Sequence, residues 1–260
     1  MGSPRAAAVR GWGGAVASDR SGAQDREALW CPVGRAFGRL SVASSRLPPF
    51  VGAAAPSAQG HCRPGIIQKN FADLVAGCLP PHARGKPIEI WWQDEARVGQ
   101  QGTLTRIWAE RGSRPPAPRD QRYDWAYLFG AVCPARGTGA GLVLPDVNAE
   151  AMNLHLAEIE RHVALDSHAV VVLDRAGWHQ VGGRLRVPQN ISLLSLPAHS
   201  PELNPQENVW EFLRQNKLSI RVFDSYEAIV DACCDAWNDL IAKPERIASI
   251  ATRAWASVIQ

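Results

Sequence analysis

The chain has 260 residues, of which 46% are hydrophobic and 20% are charged, a balance that supports a buried core and excludes a wholly disordered protein. Its longest aliphatic run, residues 169–173, is far shorter than the roughly 20 apolar residues of a membrane-spanning helix. The net charge of +3 is unevenly distributed. Residues 1–68 hold eight arginines and three acids, which gives +5 and leaves −2 for the remaining 192 residues.

The N-terminal segment, residues 1–68, differs in composition from the rest of the chain. Gly, Pro, Ala and Ser supply 36 of its 68 residues, and no helical or alternating period is sustained in it. We predict that this segment is disordered, because such a chain buries too little apolar surface to offset its ordering entropy. The alternative is a basic tail that binds DNA. Residues 69–260 are predicted to form the folded domain.

The first half of that domain is predicted to be mainly β-structure. Apolar residues at helical spacing predict a helix at residues 69–79, which Pro80 and Pro81 end. The segment IEIWWQDE then predicts a strand that runs into acidic residues. Four strands are predicted in this half of the domain. They lie at residues 88–95, 103–108 and 124–132, with a short edge strand at 141–144.

The second half alternates helix and strand before ending in helices. We predict an amphipathic helix, a buried strand, a further strand and three helices, at residues 148–163, 169–173, 191–196, 204–218, 225–240 and 244–257. The uninterrupted apolar run of the buried strand indicates that helices cover both faces of the sheet. The order of elements predicts an α/β fold, a mixed sheet with an antiparallel portion.

Six cysteines show neither a CxxC pair nor a closely spaced framework. This pattern predicts neither disulfides nor a structural zinc site. A reducing, cytoplasmic location is the corresponding expectation.

Three acids follow the predicted strands and begin a predicted helix. Asp94 is placed where the first strand ends, Asp174 lies one residue past the buried strand, and Glu207 lies in the first turn of a helix. Carboxylates at the ends of neighbouring strands meet at one edge of a sheet, and a helix crossing that edge brings in a third. Oxygen ligands of this kind suit Mg²⁺ or Mn²⁺, and two such ions activate water at a phosphodiester.

Each acid also has a structural interpretation. Asp94 would end a strand in solvent, and Asp174 would serve as a turn residue or a helix cap. With Asn204 as N-cap and Pro205 at the first helical position, Glu207 falls where the glutamate of a capping box belongs. Spacing alone leaves the structural and the catalytic interpretations open.

The sequence around these acids resembles a known enzyme family. The segments WWQDEARVGQQG, VVVLDRAGWH and PAHSPELNPQENVWEFLR resemble the catalytic core of insertion-sequence transposases of the mariner superfamily. Those proteins are DDE endonucleases with an RNase H-like fold. The resemblance extends from about residue 69 to the C-terminus.

The resemblance implies a function and a site. It implies an RNase H-like mixed sheet flanked by helices, with Asp94, Asp174 and Glu207 as catalytic residues and metal ligands. The implied cofactors are two Mg²⁺ or Mn²⁺ ions, and the implied reaction is hydrolysis and strand transfer at DNA phosphodiesters. The implied partners are transposon ends and target DNA, and a homodimer is compatible with this assignment.

Two departures from the family pattern indicate a truncated or defective copy. Arg175 follows the second acid, where the family usually has a small or amide residue, and its charge would compete with metal ions for the carboxylate. The helix-turn-helix region that precedes the core in family members has no counterpart in residues 1–68. The alternative to a transposase is therefore a non-catalytic DNA-binding remnant. A host nuclease of the same fold is a third interpretation.

Several other residues are candidates for contacts with DNA. Four arginines in a proline-rich loop either lie in solvent or grip phosphates, namely Arg111, Arg114, Arg119 and Arg122. His179 matches a histidine commonly seen in the family, and either positions a phosphate or water or is structural. Trp178 is a candidate for base stacking.

Overall fold

The computed structural model describes residues 29–30, 64–100, 110–113, 121–179, 184–197 and 200–257. Its centre is one mixed sheet with the strand order β1-β4-β3-β2-β5-β6. The strands are β1 (Leu29–Trp30), β2 (Ile88–Gly99), β3 (Trp125–Cys133), β4 (Thr138–Leu144), β5 (His168–Leu173) and β6 (Ile191–Ser195). The pairs β1–β4, β4–β3 and β3–β2 are antiparallel, whereas β2–β5 and β5–β6 are parallel. The predicted mixed sheet with an antiparallel portion is confirmed.

The helices largely follow the predicted pattern. They are α1 (Pro64–Lys69), α2 (Phe71–Cys78), α3 (Ala149–His162), α4 (Gln206–Leu213), α5 (Tyr226–Ile241) and α6 (Pro244–Ala251). The side chains of Asn148 and Ser225 accept hydrogen bonds from backbone N–H groups in the first turns of α3 and α5, so each of these helices begins at a capping residue. After α4 the chain continues in a π-helical turn, Arg214–Leu218.

Helices cover both faces of the sheet, and this explains the wholly apolar strand β5. Alternate residues of β2 point to opposite faces, so Trp92 packs in a core with α2, α4, α5 and α6, whereas Trp91 packs in a second core under α3. All six residues of β5 are buried because both cores contact this strand. The prediction of a doubly covered sheet is confirmed.

Two predicted strands are longer in the structure. β2 extends four residues past its predicted end, because the residues from Trp92 to Gly99 pair with β3. β4 has seven residues, and it is not an edge strand because Leu142 and Val143 pair with β1. The strand predicted at 103–108 lies outside the described residues.

Two short parts of residues 1–68, the segment predicted to be disordered, lie within the described residues. Leu29 and Trp30 form the edge strand β1, and α1 contains residues 64–68, the end of the segment. Ile67 of α1 packs in the main core, with only 8% of its surface exposed, which explains why this end of the segment is ordered. Residues 1–28 and 31–63, and with them the predicted lack of a helix-turn-helix, lie outside the described residues.

Two further observations concern the chain as a whole. None of the helices in the described ranges has the length and apolar character that crossing a membrane requires. The expectation of no disulfide is wrong at Cys234, which is disulfide-bonded, while Cys78, Cys133 and Cys233 are free thiols.

The close packing of α4 and α5 on β3 can be tested at Gly130. A Cβ atom at this position would overlap the Trp210 ring and would lie 2.8 Å from both Gln206 Nε2 and the Trp237 ring. We expect Gly130→Ala to lower the free energy of unfolding by about 1–3 kcal/mol, the usual cost of overpacking a core. Gly77→Ala is the control, because nothing lies within 4 Å of that position in α2. Urea unfolding with equal midpoints for the two variants would contradict this packing.

Candidate active site

The register of the sheet places Asp94 and Asp174 at corresponding positions of neighbouring strands. The parallel pairing of β2 with β5 ends at the pair Trp92 and Val172, and each acid lies two residues further along its strand direction. Asp94 is not at the end of its strand, as the sequence had suggested, because β2 continues to Gly99 against β3. Asp174 directly follows the last residue of β5.

Helix α4 brings a third acid to Asp94. Trp210 of α4 donates its indole N–H to Asp94 Oδ2 at 3.0 Å. Glu207 lies three residues before Trp210, on the same helix face. Burial raises the pKa of Asp94 to about 7, and the negative charges of Glu207 and Glu95 raise it in the same direction. The first and third predicted acids therefore lie within electrostatic reach of each other.

The start of α4 bears on whether Glu207 is a capping residue. Asn204 Oδ1 accepts a hydrogen bond from the N–H of Gln206, the first residue of α4, at 3.1 Å. In a capping box, the Glu207 side chain would accept from the Asn204 N–H. That N–H instead donates to the Pro201 carbonyl at 2.9 Å. The geometry favours a role for Glu207 other than capping its own helix.

Asn204 also joins α4 to β2. Its side chain is buried, and Nδ2 donates to the carbonyl of Gln93, the residue before Asp94, at 2.9 Å. A single amide is therefore bonded to the strand that carries Asp94 and to the helix that carries Glu207. The sequence indicated a bond from Asn204 to the start of α4 but not this second bond, which spans 111 positions of the chain.

The exposed side chain of Asp174 is held by the turn that follows β5. Its Oδ1 accepts hydrogen bonds from the Ala176 N–H at 2.9 Å and from His179 Nδ1 at 2.7 Å. The hydrogen bond from His179 is the main cause that lowers the pKa of Asp174. Asp174 is thus a turn residue, as one of the two interpretations of the sequence proposed, at a position that also suits the catalytic interpretation.

His179 connects Asp174 to Glu95, an acid that was not among the predicted site residues. Its Nε2 lies 2.8 Å from Glu95 Oε1, and the same oxygen accepts from Gln93 Nε2 at 3.0 Å. Burial alone would lower the pKa of His179, but hydrogen bonds to Asp174 and Glu95 raise it to about 9. The sequence distinguishes Glu95 only by its position after Asp94, where a strand was expected to end in solvent.

The structure describes only some of the other residues that were predicted to contact DNA. Arg111 is exposed, as is Arg175 beside Asp174. Arg122 donates to the carbonyls of Phe223 at 2.7 Å and Asp224 at 3.2 Å, so it ties the segment before β3 to the segment before α5. Arg114, Arg119 and the side chain of Trp178 lie outside the described residues.

The donor types at this edge of the sheet fit a hard divalent cation. Carboxylate oxygens are the preferred ligands of Mg²⁺ and Mn²⁺, and a cation would relieve the repulsion between Asp94 and Glu207. Among the described residues, no group of three His, Cys, Asp or Glu side chains is arranged to hold a metal ion. The Asp174 carboxylate is hydrogen-bonded to His179, which agrees with the absence of such a group among these residues.

The raised pKa of Asp94 predicts how stability depends on pH in the metal-free protein. The folded state binds this proton more tightly than the unfolded chain, whose aspartates titrate near pH 4, so the free energy of unfolding falls as pH rises from about 4 to about 7. Asp94→Asn avoids this loss. We expect its stability relative to the wild type to be greater at pH 8 than at pH 4.5, by on the order of 2 kcal/mol, in urea titrations with chelator.

Asp239 provides a control that should not change over this range. Hydrogen bonds from Lys243 and Lys217 lower its pKa, so the stability it contributes is already present above about pH 4, and Asp239→Asn should differ from the wild type by the same amount at pH 4.5 and at pH 8. If Asp94→Asn shows the same difference from the wild type at both pH values, the environment described for Asp94 is contradicted.

The sequence matches the model of a known family. The model, described as the DDE superfamily endonuclease, matches residues 89–230. A curated relative, the uncharacterized protein y4pE/y4sA of Sinorhizobium fredii (strain NBRC 101917 / NGR234), is 59% identical over 132 residues, which cover 51% of this chain and 97% of that protein.

Solved structures of the Mos1 transposase show a distant likeness. A pre-cleavage Mos1 transpososome has a TM-score of 0.46 and 17% identity, and covers 80% of this chain and 68% of its own. The mariner Mos1 paired end complex with Mg has a TM-score of 0.45 and 16% identity, with coverage of 85% and 69%. These values are low, so the assignment depends on the family match, which confirms the expectation from the motifs. The chain belongs to the DDE superfamily of endonucleases.

Proposed function

We propose that this chain is a transposase-type DNA endonuclease and strand transferase. In this proposal, Asp94, Asp174 and Glu207 act as one site at DNA phosphodiesters, with two Mg²⁺ or Mn²⁺ ions as cofactors. The observation that carries the proposal is the placement of the acids. Asp94 and Asp174 each lie two residues beyond the last parallel pair of β2 and β5, and Glu207 of α4 is within electrostatic reach of Asp94. Membership of the DDE superfamily and the motifs around the acids support the same chemistry.

The three acids would bind the ions, and neighbouring residues would hold the acids in place. Asp94 and Asp174 would hold the two ions, and Glu207 would complete the second. Bound ions of this kind activate water and stabilise the leaving oxygen. Trp210 holds one oxygen of Asp94, and Asn204 holds the helix that carries Glu207.

The proposed reaction has two chemical steps. Water attacks a phosphorus atom at the element end, the bond from phosphorus to the 3′ oxygen breaks, and a 3′-hydroxyl and a 5′-phosphate result. The 3′-hydroxyl then attacks a phosphodiester of target DNA, forming a new bond and releasing a 3′-hydroxyl from the target. No covalent intermediate with the protein is needed. A homodimer would allow two element ends to be held together.

DNA contacts are proposed for basic and aromatic residues that the sequence singled out. Arg111 is exposed and suited to phosphate binding. Arg122 already donates to two backbone carbonyls, so a contact with phosphate would compete with those bonds. The further candidates are Arg114, Arg119 and Trp178. His179 was also a candidate, but its side chain is 1% exposed and both ring nitrogens contact carboxylates, so it is not proposed to contact DNA.

One observation favours a second candidate function, a non-catalytic DNA-binding remnant. The described side chains include no ready group of three metal ligands, and Asp174 is bonded to His179. A remnant of this kind would bind DNA without cleaving it. The two functions therefore differ in a direct assay.

The assay incubates the full chain and Mg²⁺ or Mn²⁺ with duplex DNA carrying the inverted repeats that flank the gene. We expect cleavage that falls by orders of magnitude in Asp94→Asn, Asp174→Asn and Glu207→Gln, because a neutral amide is a poor ligand for these ions. Glu207→Gln should change the free energy of unfolding by less than about 1 kcal/mol. Products are quantified on denaturing gels.

Glu211→Gln is the matched control for Glu207→Gln. Glu211 lies one turn further along α4, is exposed, and accepts a hydrogen bond from Gln215 at 2.9 Å. It should retain wild-type cleavage. Full activity of Glu207→Gln would return that residue to a structural role, and DNA binding without any cleavage by the wild type would establish the remnant.

A further inference from the structure

We propose that Glu95 and His179 are positioning residues that fix the second acid, Asp174, relative to the strand that carries the first. We call these two residues the Glu95–His179 bridge. This inference rests on the proposed function, because it assigns the bridge to the same site. Neither residue is proposed to touch the reacting atoms.

The bridge is a continuous chain of short hydrogen bonds. Gln93 donates to Glu95 at 3.0 Å, His179 lies 2.8 Å from Glu95, and His179 lies 2.7 Å from Asp174. Both partners of the imidazole are carboxylates, which accept hydrogen bonds, so both ring nitrogens donate. Charge-assisted bonds of this kind are stronger than neutral ones.

Burial makes the bridge rigid. The side chain of His179 is 1% exposed and that of Glu95 is 8% exposed, whereas Asp174 is 55% exposed. The buried end of the chain of bonds therefore anchors its exposed end. Because water cannot easily replace a partner at the buried end, loss of one bond leaves a polar group unsatisfied.

The position of Glu95 in the sequence explains what the bridge connects. Glu95 directly follows Asp94 in β2, and successive strand residues point to opposite faces of the sheet. Asp94 faces α4, and Glu95 reaches His179 from the other face. Asp94, Glu95, His179 and Asp174 are thus connected by a continuous path of one peptide bond and two side-chain contacts. Asp174 cannot shift relative to Asp94 without disturbing that path.

Residues that hydrogen-bond to a metal ligand and orient it typically contribute about 10–100-fold to metal affinity or activity. A merely structural pair of a carboxylate and a histidine would contribute to stability alone. The chain contains such a pair in α3, where His162 lies 3.0 Å from Glu158. His162→Gln is therefore the matched control.

The first test measures cleavage and the Mn²⁺ concentration at half-maximal activity with the full chain. We expect Glu95→Ala to lower cleavage by about 10–100-fold and to raise the Mn²⁺ requirement. Glu95→Gln keeps an acceptor for His179 and should recover most of this loss, and His162→Gln should match the wild type. Wild-type cleavage and Mn²⁺ requirement in Glu95→Ala would overturn the proposal.

The second test does not depend on activity. The ¹³C resonance of the Asp174 carboxyl, assigned by its loss in Asp174→Asn, should move in Glu95→Ala and stay in place in Glu95→Gln and His162→Gln. If Glu95→Ala does not fold, His179→Asn replaces it, because asparagine is too short to reach both carboxylates. An unmoved Asp174 resonance overturns the bridge. A wild-type protein that cleaves no DNA overturns the proposed function alone, since this resonance still reports the positioning.

Discussion

Two like charges, Asp94 and Glu207, are kept within electrostatic reach of each other at a position that is largely shielded from water. Such an arrangement is unfavourable by itself, because burial and repulsion both disfavour ionised carboxylates. The surrounding structure compensates with directed hydrogen bonds. Trp210 donates to Asp94, and Asn204 bonds both to β2 and to the first turn of α4. Proteins often concentrate perturbed acids of this kind where they use them.

The mixed topology of the sheet creates the place where the acids meet. β2 is paired with β5 only as far as Trp92, and beyond that point it continues against β3 alone. The edge on the side of β5 is therefore open at Asp94, where the chain leaves β5 through Asp174. Ligand sites of α/β sheets commonly lie outside the carboxyl ends of parallel strands. Helix α4 packs against β2 and places Glu207 and Trp210 near Asp94.

Local signals in the sequence were sufficient to predict most elements and to select three acids as candidates, but they did not reveal the contacts between distant residues. The apolar period of α3 and the buried run of β5 are determined by neighbouring residues and were predicted. The full length of β2 was not predicted, because residues 96–99 are held in the strand by tertiary pairing with β3. The bond from His179 to Glu95 joins residues 84 positions apart, which no periodicity reveals.

The account can be tested most directly at the indole N–H of Trp210, by ¹H–¹⁵N NMR of the full chain during titration with paramagnetic Mn²⁺. This group donates to Asp94 at 3.0 Å, and Trp91 provides an internal control because it donates in the same way to Glu89, at 2.9 Å, under the other face of the sheet. A divalent ion held by Asp94 should broaden the Trp210 resonance at lower Mn²⁺ concentrations than the Trp91 resonance. Equal broadening of the two resonances, or none at either, would contradict a metal-binding site formed by these acids.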